Sequence, residues 1–255
     1  MDEKIRKLIR KFVKNYKIRI KTETDWDEPL VAFADADDPL FEKLKAVINT
    51  SHNTPTELLR DAKTVISYFI PFKKEIALSN VGGKNPSKEW AIAYIETNKL
   101  ISDLNEYLSK ELEKLNFRSV ILPPTHNFDE KTLIRYWSHK HVAFISGLGK
   151  FGLHQMLITE KGCCGRLGSL ITNAKINPTK KSDKEFCLYK HDTTCKKCLE
   201  KCIFGALNIN SYDRHKCYEI CLLNAELYLE LGLASVCGKC ACGVPCSFKN
   251  PVKIK

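Results

Sequence analysis

The sequence predicts a mixed α/β domain over residues 1–180, followed by a small module built on sulfur ligation over residues 181–255. Three observations carry this. Residues 1–162 contain no cysteine, while all twelve cysteines fall between Cys163 and Cys246. Helical and strand-like hydrophobic periods alternate over the first part. Between the two lies NPTKKSDK, Asn177 to Lys184, a stretch of loop composition just ahead of the first well-spaced cysteine. With 255 residues, 44% of them hydrophobic, the chain has the apolar content for a large packed core, which excludes general disorder.

The elements follow in order. Ile5, Leu8, Ile9, Phe12, Val13 and Tyr16 recur at helical spacing among lysines and arginines, which predicts an amphipathic helix over 3–16. Its basic face reads as a solvated surface or as a membrane-surface helix, the first being the plainer reading. Pro39–Ile48 and Pro55–Ala62 read as short helices. Thr64–Ile70 is β-branched and aromatic, of strand length, and stopped by Pro71. Ser119–Leu122, stopped by Pro123 and Pro124, reads as its partner strand. Ser87 is placed to cap a long helix reaching about Leu115, with Ile101, Leu104, Leu108 and Leu112 on its buried stripe. Asp129, followed by Leu133, Ile134 and Trp137, is placed to cap a helix reaching about Ala143.

Forty-one Lys+Arg against thirty Asp+Glu give a formal charge of +11, which admits a polyanionic partner without specifying one. The chain opens MDEKIRKLIRKF, with no apolar segment of the kind an export signal carries, so the thiols are expected to be reduced, in a cytoplasm. No apolar run approaches the roughly 18 residues of a membrane span.

The predicted helix runs into Gly147-Leu148-Gly149-Lys150-Phe151-Gly152. This string matches the dinucleotide fingerprint GxGxxG, but it follows a helix rather than a strand, and no acidic residue stands at the required distance beyond it. Ile158 and Thr159, then Gly165, Gly168 and Ser169-Leu170-Ile171-Thr172, read as strand segments that bring a second glycine turn near the first. Glycines at such positions permit either close approach of a cofactor or tight turns between core strands, and the pattern leaves both open.

The cysteines carry the most specific chemistry. Cys195-Lys-Lys-Cys198-Leu-Glu-Lys-Cys202 is CxxCxxxC, the later part of the bacterial ferredoxin run, with Asp192 where the first ligand usually stands. Cys187 is the natural substitute. In two-cluster ferredoxins the fourth cysteine of a run ligates the other cluster. That rule assigns Cys187, Cys195, Cys198 and Cys246 to one 4Fe–4S cluster and Cys202, Cys217, Cys237 and Cys240 to a second. The rival is zinc, held by the CxxC pairs Cys195/Cys198 and Cys237/Cys240, a choice that leaves Cys202, Cys217 and Cys246 without a purpose. Cys163, Cys164, Cys221 and Cys242 default to buried, unreactive thiols.

The stretch from His139 to Thr159, then GRLGSLIT from Gly165 to Thr172, followed by the cysteine module, resembles the epoxyqueuosine reductase and reductive dehalogenase superfamily over about residues 30–250. The resemblance implies a nitroreductase-like α/β domain holding base-off cobalamin and a ferredoxin-like domain with two 4Fe–4S clusters. The corrin site would lie between the Gly147–Gly152 turn and the strand Gly165–Thr172. The motif DxHxxG, which supplies a lower histidine ligand elsewhere, is absent. Flavin is the second cofactor such a fold admits. The resemblance is to a short form, because epoxyqueuosine reductases continue into helical repeats that help grip tRNA and this sequence stops at Lys255.

The resemblance also places a catalytic aspartate before the helix and glycine turn, at Asp129, where a helix-capping role competes. Tyr136, His139 and His141 are the other proton-donor candidates; one helix cannot turn all three the same way. His52, His126, His154, His191 and His215 receive no role. Two functions follow as expectations. One is a cobalamin-dependent oxidoreductase, fed by an external low-potential donor, that carries out a two-electron reduction of a small or nucleoside-type substrate, with tRNA among those the charge admits. The other is an electron-transfer protein or reductive activator serving another protein's corrinoid or redox centre.

Overall fold

The computed structural model describes residues 1–125, 128, 129 and 131–252; His126, to which the sequence gives no role, lies outside them. The helix predicted over 3–16 is α1, Asp2–Ile20, and it buries Ile5, Ile9, Phe12, Val13 and Tyr16. Strand β1 (Leu30–Asp35), helices α2 (Leu40–Val47) and α3 (Pro55–Leu58), and strand β2 (Thr64–Pro71) follow. Helix α3 is shorter than predicted because Leu59 is extended (φ −139°). Helix α4 (Lys74–Ser79) precedes α5 (Lys88–Glu113), whose first turn is capped as predicted: Ser87 Oγ accepts from Trp90 N–H at 3.1 Å. The predicted stripe Ile101, Leu104, Leu108 and Leu112 is fully buried.

Strand β3 (Ser119–Ile121), the short hairpin β4 (Phe128–Asp129) and β5 (Ile134–Arg135), helix α6 (His139–Ile145), the hairpin β6 (Gly149–Phe151) and β7 (Leu157–Thr159), and strand β8 (Gly165–Thr172) complete the first part. The main sheet is antiparallel in the order β1-β2-β8-β3. Two expectations are thereby corrected. Strand β3 does not pair with β2, because β8 lies between them and pairs Thr172 with both Thr64 and Ser119. Asp129 does not cap a helix: its Oδ1 accepts from Thr132 N–H and from Thr132 Oγ1–H, both at 2.8 Å, closing the β4–β5 turn, and α6 begins only after Ser138.

Helices α7 (Leu188–Asp192), α8 (Lys197–Lys201) and α9 (Arg214–Glu226) carry the cysteine-rich part. The largest apolar cluster runs from Ile5 through Tyr68, Trp90 and Leu170 to Val236, Val244 and Cys246, so residues beyond 180 pack on the same core as the sheet.

Several polar groups inside this core form a chain of hydrogen bonds. Asn105 on α5 accepts from the Tyr68 hydroxyl at 2.8 Å and donates to the Ser169 carbonyl at 3.2 Å, pinning α5 to β2 and β8. Trp137 Nε1–H donates to Ser169 Oγ at 3.0 Å. His139 Nε2 lies 2.8 Å from the Pro123 carbonyl, which can only accept, so Nε2 carries the proton and Nδ1 accepts from Ser169 Oγ–H at 2.8 Å. Behind them His52 is fully buried: its Nδ1–H donates to the Asn53 carbonyl at 2.9 Å and its Nε2 accepts from Ser138 N–H at 3.1 Å. This chain of bonds fixes the start of α6.

Burial pushes the His52 pKa below the ordinary histidine range. The unfolded chain then binds the proton first, so the contribution of His52 to stability is intact above its unfolded pKa of ~6.5 and is lost as pH falls below it. Urea unfolding is expected to show stability declining from about pH 7 to pH 5, and His52→Gln, which keeps an acceptor for Ser138, to flatten that slope. Identical slopes in the two proteins would contradict this role.

Candidate functional site

An open cavity of about 480 Å³ lies where α6 faces α9, lined by Tyr94, Thr125, Ser138, Lys140, His141, Gln155, Arg166, Tyr212, Arg214, Cys217, Tyr218 and Cys221, among others. None of its lining residues among those described is a carboxylate, and Lys140, Arg166 and Arg214 give it a positive wall. Ser138, just ahead of α6, reaches His141 one turn on: its Oγ lies 2.7 Å from His141 Nδ1. The other side of the ring leans on Phe151, with centroids 4.9 Å apart. Arg166, on β8, lays its guanidinium 4.3 Å over the Tyr94 ring and donates to Asn98 Oδ1 at 2.7 Å. Lys140 Nζ donates to the Gln155 carbonyl at 3.2 Å.

Of the proton-donor candidates read from the sequence, His141 alone lines this cavity. Tyr136 is 50% exposed. Asp129 is exposed, its carboxyl held below the usual range by the backbone and side-chain bonds from Thr132. His139 is buried within the Ser169 chain of bonds.

Tyr94, Arg166, Tyr212 and Cys221 share a second cavity with the first, about 220 Å³ in volume and largely apolar, and there the thiols gather. Cys202, Cys217, Cys237 and Cys240 all line it. Burial pushes the Cys237 and Cys240 thiols up, and each is raised further by the neighbouring thiols of the set. Cys217 and Cys221 sit one turn apart on α9; Cys221 donates to Cys217, which with a bond from the Tyr212 hydroxyl holds Cys217 below the ordinary thiol range. Cys187, Cys195, Cys198 and Cys246 line a third, small cavity with Leu153 and His154. Burial, then Cys246, Cys187 and Cys195 in turn, push the Cys198 thiol up to about 12.

All twelve cysteines carry free thiols. Cys187, Cys198 and Cys246 are buried and Cys195 half-buried in one set, and Cys202, Cys217, Cys237 and Cys240 are half-buried in the other; each set is a four-thiol donor group whose thiolates a cationic iron core would neutralise. The pairs Cys195/Cys198 and Cys237/Cys240 line different cavities, which does not bring them together round one tetrahedral zinc ion.

The glycines singled out in the sequence are packed against the chain itself. A Cβ at Gly149 would stand 2.0 Å from the Ile158 carbonyl oxygen, one at Gly165 2.4 Å from the Ile70 carbonyl oxygen, and one at Gly168 2.5 Å from the Tyr68 ring. Gly147 (φ +81°) makes the turn after α6, and Gly152 makes room for the His154 ring. Leu148, Ile158, Thr159 and Ser169 are buried, Thr159 Oγ1 donating to the Gly162 carbonyl at 2.8 Å. Of these residues, Gly165 lines the second cavity. Tyr94, Lys140, Arg166, Tyr212 and Tyr218, which sequence reading missed, come from distant elements with no shared motif. The arginine between Gly165 and Gly168 was the one available signal.

No protein-family profile and no curated protein matches the sequence. Seventeen chains of known structure match the fold. Epoxyqueuosine reductase from Streptococcus thermophilus superposes with a TM-score of 0.52 at 19% identity, covering 95% of this chain and 68% of that one. An epoxyqueuosine reductase with a tRNA-Tyr epoxyqueuosine-modified stem loop gives 0.52 at 18% identity, covering 90% of this chain. A catabolic reductive dehalogenase gives 0.52 at 13%, covering 86% of this chain and 29% of its own length. The chain spans 63% of the length of the tRNA-bound reductase. The fold is thus the one these reductases and the dehalogenase share. Among the described residues, no helix is long and apolar enough to cross a membrane.

The packing at Gly149 makes a prediction independent of any cofactor. Gly149→Ala must part the β6–β7 hairpin and is expected to destabilise the cofactor-free protein by about 1–3 kcal/mol or more, read as a lower melting temperature. An unchanged melting temperature would show that the hairpin has room to spare.

Proposed function

We propose that the chain is an iron–sulfur oxidoreductase in which residues 181–255 hold two 4Fe–4S clusters and residues 1–180 form most of a cofactor and substrate cleft. The observation that carries this reading is the cavity lined by Cys202, Cys217, Cys237 and Cys240, which shares Tyr94, Arg166, Tyr212, Cys217, Cys221 and Ser235 with the cleft. A cluster held there would sit against whatever the cleft binds. The other set, Cys187, Cys195, Cys198 and Cys246, would hold the second cluster and take electrons from an external low-potential donor.

The cleft suits a cobalamin whose lower ligand the protein does not supply. It is open, none of its lining residues among those described is a carboxylate, and it offers amide and hydroxyl partners at Thr125, Ser138 and Gln155 for the corrin's amide fringe. Bound there, cobalamin would supply two-electron reducing chemistry at cobalt; flavin is the second choice. The protein's own part is orientation and proton supply. Lys140, Arg166 and Arg214 would hold an anionic or nucleotide-bearing substrate, and His141, steadied by Ser138 and Phe151, would give a proton to the leaving oxygen. Since one structural neighbour carries a tRNA stem loop, a nucleoside within RNA joins free nucleosides and small molecules as a substrate class.

Anaerobic reconstitution is expected to load about eight iron atoms per chain with thiolate-to-iron absorption, and Cys202→Ala to damage the cluster of Cys237 and Cys240 while sparing that of Cys195 and Cys198. Stoichiometric zinc without iron uptake would overturn this reading. Added cobalamin is expected to bind in the base-off form, seen in its absorption spectrum; flavin uptake instead would change the cofactor and leave the cleft.

With a strong one-electron donor and epoxide-bearing nucleosides or small halogenated compounds as substrates, His141→Gln is expected to lower turnover about 10²–10⁴-fold and Asp129→Asn to leave it near wild type. The reverse pattern would return the proton donor to Asp129. No turnover with any of these, joined to rapid reduction of a separate corrinoid protein, would favour an electron-transfer protein.

A further inference from the structure

His154 belongs to neither thiol set, yet it is buried beside one of them. It sits in the β6–β7 turn, 4% exposed, and one ligand atom each from His154, Cys163 and Cys246 lie within 4.8 Å of one another. Such a triad invites a metal ion, but the hydrogen bonds of the ring argue otherwise. Met156 N–H donates to His154 Nδ1 at 3.1 Å. A nitrogen that accepts carries no proton, so the neutral ring holds its proton on Nε2, and Nε2 faces Cys246 Sγ at 3.4 Å. A ligating imidazole turns a lone pair to its metal and donates from its other nitrogen. His154 is arranged the opposite way.

We propose that His154 is an N–H donor to the cluster-ligating sulfur of Cys246, and that this bond raises the reduction potential of the cluster held by Cys187, Cys195, Cys198 and Cys246. The inference rests on the cluster assignment proposed above. The geometry is built for it. His154 lines the same small cavity as those four cysteines. Gly152 N–H donates to the Met156 carbonyl at 2.9 Å, closing the turn that aims the ring. A Cβ at Gly152 would stand 2.6 Å from His154 Cε1, so a side chain there would push the ring off the sulfur. When the cluster gains an electron, negative charge on its sulfurs rises and the N–H···S bond strengthens, which favours the reduced state. The turn of the α/β part would thus tune a cluster in the cysteine-rich part.

The test is an anaerobic redox titration at one fixed pH, followed by electron paramagnetic resonance, on reconstituted wild type, His154→Leu and His154→Gln. In His154→Leu one cluster is expected to become about tenfold harder to reduce, ~59 mV more negative for one electron, while the other keeps its potential. His154→Gln, which returns an N–H near the Nε2 position, is expected to recover most of the shift. Wild type grown with histidine carrying the heavy nitrogen isotope is expected to show the weak coupling of a hydrogen-bonded nitrogen. Unshifted potentials, or the strong coupling of a directly ligating nitrogen, would overturn the proposal. If His154→Leu does not fold, the labelled wild type and Gly152→Ala decide in its place, the latter expected to shift the same cluster the same way. Wild type that takes up no iron would defeat the cluster assignment itself, which separates that failure from this one.

Discussion

Everything at the site depends on a short stretch of backbone pairing between the start of β8 and the end of the chain. Cys163 N–H donates to the Cys246 and Ser247 carbonyls at 3.0 and 3.2 Å, and Cys164 N–H to the Ser247 carbonyl at 3.1 Å, while the Cys164 carbonyl accepts from Phe72 N–H at 3.0 Å. The same two residues therefore join the ends of the sheet's two inner strands, β2 and β8, to the last cysteine. Gly162 is required there: its φ is +78°, and a Cβ would stand 2.3 Å from the Ser247 carbonyl oxygen. A second attachment runs through Asn80, which donates to the Cys237 carbonyl at 2.9 Å and accepts from Ser87 N–H at 3.1 Å. Lys239 reaches back to the Asn80 and Gly82 carbonyls, burial holding its pKa below the usual lysine range. The two thiol sets are thus held in register with the sheet rather than tethered to it.

This attachment explains why the cleft and the thiols share walls. Strand β8 carries Arg166 into the cleft, Ser169 into the chain of bonds that fixes α6, and, through Cys163 and Cys164, the contact with the terminal segment. A small change in β8 would move the basic wall, His141 and one thiol set together. In the proposed function, that coupling would keep an electron-donating cluster at a fixed distance from the cleft, and Lys140, Arg166 and Arg214 in its lining would keep the local field favourable to anions.

Elements with strong local signals were legible in the sequence. Helix α5 is long, amphipathic and capped by Ser87, and β2 is a run of β-branched and aromatic residues, so both stand as predicted. The Asp129 helix failed because a short hydrophobic spacing and a capping aspartate were read as one helix, when the aspartate's side chain closes a tight turn and α6 takes its start from Ser138, fixed by His52 some 86 residues away. Strand pairing failed at β3 because the strand between β2 and β3 comes later in the chain. The glycines showed that close approach occurs, and the structure shows that what approaches is the chain's own backbone. At the cysteines, spacing grouped the thiols into the two sets that line the second and third cavities, because residues a few positions apart stay close in any fold. The cleft's lining was not legible, because Tyr94, Arg166 and Tyr212 meet only through the tertiary fold.

In the proposed function, eight particular thiols would bind two iron–sulfur clusters in two separate cavities, one of which shares its wall with the cleft. Anomalous diffraction above and below the iron absorption edge, on crystals of anaerobically reconstituted protein, tests it most directly. Two strong iron peaks are expected, one among Cys187, Cys195, Cys198 and Cys246 and the other among Cys202, Cys217, Cys237 and Cys240. A single peak between the two CxxC pairs, or a signal at the zinc edge alone, would contradict it.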